Sequence, residues 1–366
     1  MSASRATRPH PFTVSRRTIL AGGAVSALAV LAACSSKSAS QETSPAASGA
    51  ASTGSGSSSK SLPKSTVVPA ELDSGLGSGQ ADGVFPRTVV HYQGETTINA
   101  APTKVVVIST GQADAMLSLG MCPIGSTTAS GAEGPVSQYL KDAYPDQVSA
   151  IEAITKVGSR NEPDIEAIGA LKPDLILTNI AGKDDADTLH KNLTAIAPTV
   201  VMRGTGQFWK TDFLLLADAL GKREAAQSLL DTLKKEAAEA GSALSSAGTV
   251  SLLRKNSDKL RIFGPISFAG SVVADMGLQR PDTQQFTNGV SNELSSETLD
   301  QADGDWLFYG IQGGKDEELT GQALWGSLKA VSAGHAVKVD DDPFFLNAGP
   351  TAARVVRDQI VKAVRG

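Results

Sequence analysis

The chain has 366 residues, 41% of them hydrophobic and 19% charged, which is ordinary globular material and excludes a wholly disordered or fibrous protein. A net charge of −5 argues against nucleic acid as a partner, and two cysteines exclude a disulfide scaffold or a multi-cysteine zinc site. At about 100–200 residues per domain, the length suggests two domains, or two lobes sharing one core.

The first elements read as an address. Arg5, Arg8, Arg16 and Arg17 precede an apolar run, Ile19 to Ala33, with no acidic residue among them. Fifteen residues are too few for a transmembrane helix, which needs about 20, so the run is the core of a signal peptide over 1–33. Ser15-Arg16-Arg17 resembles the twin-arginine export signal; ordinary secretory signals also carry dibasic starts. Leu31-Ala32-Ala33-Cys34 resembles a bacterial lipobox, which would make Cys34 an acylated N-terminus held in the lipid bilayer. From Ser35 to Val84 there is no aromatic residue, and Ser, Ala and Gly dominate, so 34–84 is expected to be a flexible tether. Gly75, Gly77 and Gly79 fall in it and read as tether, not as a phosphate cradle. Cleavage before Cys34 would remove four arginines, leaving 29 basic against 38 acidic residues, a net of −9.

From Phe85 onward, short β-branched runs alternate with helical patterns. Strands are expected at Lys104–Ser109, Pro123–Thr127, Asp174–Thr178 and Thr199–Met202, and helices at Gln112–Leu119, Asp164–Leu171 and Asp184–Ile196. Thr211–Leu220 and Lys222–Ala247 contain no proline and are rich in good helix formers. The βα rhythm then resumes. A hairpin (Thr249–Arg254, Leu260–Phe263) leads to a helix at Ser271–Met276 and another at Ser296–Ala302, capped by Ser296. A strand (Asp305–Gly310), a helix (Gln322–Ser332), a strand (Ala336–Val339) and a last helix (Ala352–Val364) complete it. The pattern predicts an α/β protein with two Rossmann-like lobes, 85–220 and 248–366, joined by one long helix at 221–247. A ligand cleft is expected between them.

Catalytic signatures are missing: no Gly-x-Ser-x-Gly, P-loop or His-Glu-x-x-His occurs, which leaves a surface-anchored hydrolase little support. His91, His190 and His335 are scattered without ligand spacing and read as surface or satisfied residues. Cys122 reads as a small buried apolar residue.

Several ordered segments carry a resemblance: Pro102-Thr103-Lys104 with VVVIS, VGSRNEPDIEAIGALKPDLIL (157–177), Ala195 to Val200, RIFGPISFAGSVVADMGLQRP (261–281) and SSETLDQADGDWLF (295–308). Together they resemble the cluster-A-III substrate-binding lipoproteins of iron-siderophore, haem and cobalamin ABC importers. The resemblance implies a class III periplasmic-binding-protein clamshell with small hinge motion. Its ligand would be a ferric siderophore, with haem or another tetrapyrrole as the alternative. It implies no catalysis, no resident cofactor or metal, and a monomer delivering its ligand to an ABC permease and its ATPase.

Ligands of open α/β sheets sit at the carboxyl ends of the strands. Those positions are Ser109–Gln112, Arg160, Asn179 and Arg203 in the first lobe, with Trp209 a few residues on. In the second they are Arg254, the Gly264–Phe268 loop, Arg280, Tyr309 and the Asp340–Phe345 loop. Arginine suits an anionic ferric complex, and aromatic rings can stack on it. Arg160 and Arg254 are carried over from the resemblance as ligand contacts. Arg203 and Arg280 are candidates that could instead form surface ion pairs. Trp209, Phe268, Tyr309 and Trp325 are candidate stacking residues, with core packing the other reading for Trp325, and Tyr309 is the candidate ligand to haem iron. Glu166 and Glu297 hold matching places in the two lobes; the resemblance implies that they dock on permease arginines, whereas a first-turn glutamate also suits the helix dipole.

Overall fold

The computed structural model describes residues 68–109, 111–128, 134–183, 185–257 and 259–366. The signal peptide, Cys34 and most of the expected tether lie outside them.

A hairpin opens the structure, β1 (Arg87–His91) against β2 (Gly94–Ile98). The first lobe follows as β3 (Val105–Ile108), α1 (Gln112–Ser118), β4 (Gly125–Thr128), α2 (Gln138–Ala143), α3 (Val148–Glu152), β5 (Thr155–Ser159), α4 (Ile165–Leu171), β6 (Leu175–Asn179), α5 (Ala186–Thr194) and β7 (Thr199–Met202). Its sheet, in the order β5-β4-β3-β6-β7, is parallel throughout. The central strand shows why. All four residues of β3 are buried, with Val105 and Val107 in one core and Val106 and Ile108 in another on the opposite face. A parallel strand covered on both faces reads as a continuous apolar run.

Helix α6 (Trp209–Ala219) turns at Leu220-Gly221-Lys222 into α7 (Arg223–Ser242), whose 20 residues span about 30 Å at 1.5 Å per residue. The second lobe contains β8 (Val250–Asn256), β9 (Lys259–Phe263), α8 (Phe268–Asp275), β10 (Ser291–Leu294), β11 (Trp306–Gln312), α9 (Glu317–Thr320), α10 (Lys329–Ser332), β12 (Ala336–Lys338) and α11 (Pro350–Arg365). Its sheet runs β10-β9-β8-β11-β12, parallel among β8, β11 and β12 and antiparallel at β9 and β10.

The lobes are stapled by more than α7. Val107 of the first sheet and Leu252 and Phe308 of the second belong to one continuous apolar core. The carboxylate of Asp114 in α1 accepts from the backbone N–H groups of Thr351 and Ala352, each at 2.9 Å, and so caps α11 of the other lobe. Burial pushes the Asp114 carboxyl up, and the hydrogen bonds from Thr351, Ala352 and Tyr139 pull it back. Between α6 and α8, Lys210 Nζ lies 2.6 Å from Asp275 Oδ2, and Trp209 Nε1 donates to Ser271 Oγ at 3.0 Å. Gly241 of α7 is required by close approach: a Cβ there would lie 1.7 Å from the Met276 carbonyl oxygen.

Several expectations need correction. The tether does not run to residue 84. Val68 is buried in the core, Gly77 pairs with Val90, and Ser78 donates through its N–H and hydroxyl to Asp218. Arg87 ties the same stretch down, donating to the carbonyls of Ala81, Val84 and Asp218. Gly75, Gly77 and Gly79 belong to this ordered strap, with φ of 89°, 84° and 67°. Polar bonds hold the strap, so its apolar-poor composition hid it. The long helix stops at Ser242 instead of Ala247. The expected helix over Gln322–Ser332 breaks at extended Leu328 into a 3-10 turn and α10, whose first N–H groups bond to Asp303. Ser296–Ala302 is a 3-10 helix capped by Ser295, not by Ser296. Helix α8 begins at Phe268, three residues before the expected start, because Ser267 caps it.

Candidate functional site

A cleft of ≈ 450 Å³ lies between the lobes. The size is that of a small-molecule site, about 300–1,000 Å³.

The parallel sheet supplies its first wall through the loops that leave the strand ends. Ser109, Asn179 and Arg160 line the cleft as the strand-end rule expects, and Asn179 donates to the Ser109 hydroxyl. Arg160 Nη2 lies 3.5 Å from the Ala181 carbonyl, and a Cβ on Gly182 would stand 2.6 Å from that nitrogen. Glycine there, at φ +67°, lets the guanidinium lie against the backbone. Lys183 donates to the Arg160 carbonyl; burial and the neighbouring guanidinium pull its ammonium down to about 8. Asp212 closes the floor. Its carboxylate accepts from Arg203 N at 3.0 Å and Gly204 N at 2.7 Å, and burial pushes it up to about 7.

The second wall is built differently. Arg254 in β8 and Arg261 in β9 stand directly opposite each other, and both line the cleft with Phe263 and Phe345. Arg254 Nε and Nη2 donate to the two oxygens of Asp341 at 2.7 and 2.6 Å, a bidentate pair. The rings of Phe263 and Phe345 meet at 4.9 Å. Phe345 belongs to a π-helical turn at Asp342–Leu346; such turns recur at functional sites.

Of the eight candidate ligand residues, three line this cleft: Arg160, Trp209 and Arg254. Trp209 is otherwise packed, 4% exposed and edge-on to Phe268 at 5.3 Å. Phe268 is buried behind it at the junction of the lobes. Arg203 points away: its guanidinium lies over Tyr92 and Phe208 and pairs with Asp73 of the strap at 3.2 Å. Arg280 is buried inside the second lobe, bonded to the Phe263 carbonyl and Gln284, and burial pulls it down to about 9. Tyr309 and Trp325 pack edge-on at 5.0 Å in the outer core, so Tyr309 is not placed to ligate haem iron in the cleft. The period of two explains this. On β11, Phe308 faces the shared core, and Leu307 and Tyr309 face the other side. The same period could have found Arg261. Leu260 and Ile262 belong to the outer core, so Arg261 and Phe263 face the cleft.

Glu166, in the first turn of α4, and Glu297, in the 3-10 helix at Ser296–Ala302, are both exposed; neither forms an ion pair among the described residues. His91 and His190 meet edge to face at 5.7 Å, and burial with the neighbouring ring pulls His91 down to about 4. His335 stacks on Trp306 at 4.1 Å. Cys122 is half-buried, with its thiol pushed up by burial. No helix among the described residues is long and apolar enough to cross a membrane.

A family model described as periplasmic binding protein matches residues 105–343. The chain belongs to the periplasmic binding protein family. Within this family it is 32% identical over 294 residues to the "probable siderophore-binding lipoprotein YfiY" of Bacillus subtilis, covering 75% of this chain and 86% of that one. It is 27% identical over 300 residues to the Fe(3+)-citrate-binding protein YfmC of the same organism, covering 79% and 89%. Among solved structures, Staphylococcus aureus SirA complexed with staphyloferrin B shares the fold, with a TM-score of 0.65 at 24% identity over 76% of this periplasmic binding protein and 98% of that chain.

Proposed function

We propose that this protein is a lipid-anchored, extracytoplasmic receptor that captures a ferric siderophore or ferric citrate between its lobes and hands it to an ABC importer. The observation that carries the reading is the interlobe cleft, where Arg160, Arg254 and Arg261 converge beside Trp209, Phe263 and Phe345. Three guanidiniums and three rings suit an anionic, partly apolar complex. The names of the relatives YfiY and YfmC support the ligand class. In this reading iron is cargo held by its own chelator, the protein makes and breaks no bond, and it needs no resident cofactor. Cys34 anchors it in the bilayer, and exposed Glu166 and Glu297 dock on the permease, one from each lobe.

Equilibrium dialysis of the full-length protein in detergent against iron-loaded citrate and a siderophore panel tests the binding step. One complex retained per chain is expected; retention of none would overturn the reading. Glu166→Ala with Glu297→Ala should leave that retention unchanged and abolish iron uptake by cells. Uptake at the wild-type rate would remove the docking role.

A further inference from the structure

The two walls of the cleft carry the same residue type in opposite electrostatic states. In the first wall, Arg160 and its neighbour Lys183 form no ion pair among the described residues; their bonds go to backbone carbonyls. The carboxyl of Asp212 in that wall is pushed up to about 7, so at neutral pH it carries only part of a charge. In the second wall, Arg254 and Arg261 face each other across the antiparallel pair, where like charges repel. Arg254 is neutralised in place: Asp341 takes Nε and Nη2, and Gln312 also accepts from Nη2 at 2.7 Å. The pair is almost enclosed, at 8% and 11% side-chain exposure, so solvent screens it little. Asp340 and Asp342 flank Asp341 and add negative charge to the same loop. Arg261 is 3.9 Å from Glu293 and partly exposed.

We infer that Asp341 is a specificity-determining residue: by cancelling Arg254 it leaves the second wall close to neutral, so the cleft takes ferric complexes whose negative charge is gathered at one end. That end sits on Arg160, and the less charged end lies against Phe263 and Phe345. The inference rests on the receptor reading above and adds a polarity to the bound ligand. Arg254 then acts as a positioned donor and ring partner, 6.0 Å over Phe345, and not as a net charge.

The test is titration with ferric citrate in excess citrate, at low and high salt. Asp341→Asn keeps the shape and removes the negative charge. It should raise affinity about fivefold for each unit of ligand charge and steepen the fall with salt. A residue that only braced Arg254 would give the opposite sign, so an unchanged or weaker affinity overturns the inference. Arg254→Met with Asp341→Asn removes the neutral pair as a unit and keeps the test open if the single variant does not fold. Losing the donor lowers affinity, but the fall of affinity with salt should match wild type, and a shallower fall would show that the charge of Arg254 is felt after all. If the wild-type protein binds no ferric citrate, this inference fails alone, and the receptor reading stands or falls on the wider siderophore panel.

Discussion

The two lobes reach the cleft by different geometry. In the first, all five strands are parallel, so each strand ends at the same edge and delivers its loop there. Ser109, Arg160 and Asn179 line the cleft by that rule. In the second, β9 runs against its neighbours β8 and β10, and it presents its middle residue Arg261 and its last residue Phe263 to the ligand. Arg280 and Tyr309, chosen by the strand-end rule, lie in the core instead. The strand-end rule does not cover an antiparallel strand such as β9, and on a parallel strand it still depends on which face a residue takes, as Tyr309 of β11 shows.

The sharpest way to break this comparison is to remove one arginine from each class. Arg160→Ala should weaken ferric citrate binding about 100-fold, the loss of a charge-assisted contact in a half-buried site. Arg261→Ala should weaken it about tenfold, because Arg261 is partly exposed and shares the carboxylate of Glu293 with Lys259. Arg280→Met and Tyr309→Phe should change affinity less than about twofold while altering thermal stability, which calorimetry with and without ligand separates. A large affinity loss in either would put the strand-end rule back in force for the second lobe.

The buried carboxyl of the first wall gives a smaller, pH-dependent effect. Asp212 is pushed up to about 7 in the folded protein, whereas an unfolded carboxyl titrates at about 4. The folded chain therefore holds a proton that the unfolded chain has released. The associated stability is complete below pH about 4 and is lost as pH rises through 7. Unfolding midpoints measured from pH 5 to 8 should fall across that window, and Asp212→Asn should flatten the fall. An identical slope in the variant would show that another group titrates.

Much of the fold was legible because its signals are local. The apolar run of β3 announces a strand covered on both faces, and the proline-free stretch after Gly221 announces α7. What was not legible depends on distance. The carboxylate of Asp114 caps a helix 237 and 238 residues further on, at Thr351 and Ala352, and no local pattern in α1 predicts that. The strap from Val68 to Val84 has the composition of a tether, and it is ordered by partners outside it: Asp218 and Gly221 far along the chain, with Arg87 and Val90 nearby. Arg203 resembled a ligand arginine because Asp73, its carboxylate partner, lies in that same strap. Arg261 was legible in principle, since the alternation Leu260, Arg261, Ile262, Phe263 assigns its face once the core side is known.

The central claim is that ligand sits between the lobes, and Trp209 is placed to report it. Trp209 lines the cleft, whereas Trp325 packs in the outer core of the second lobe and Trp306 stacks on His335. Titration of the wild-type protein with its iron complex should therefore quench tryptophan fluorescence saturably, at one complex per chain. In Trp209→Phe the saturable quench should vanish while dialysis still records binding. Quenching of equal amplitude in that variant would contradict a ligand held in the cleft.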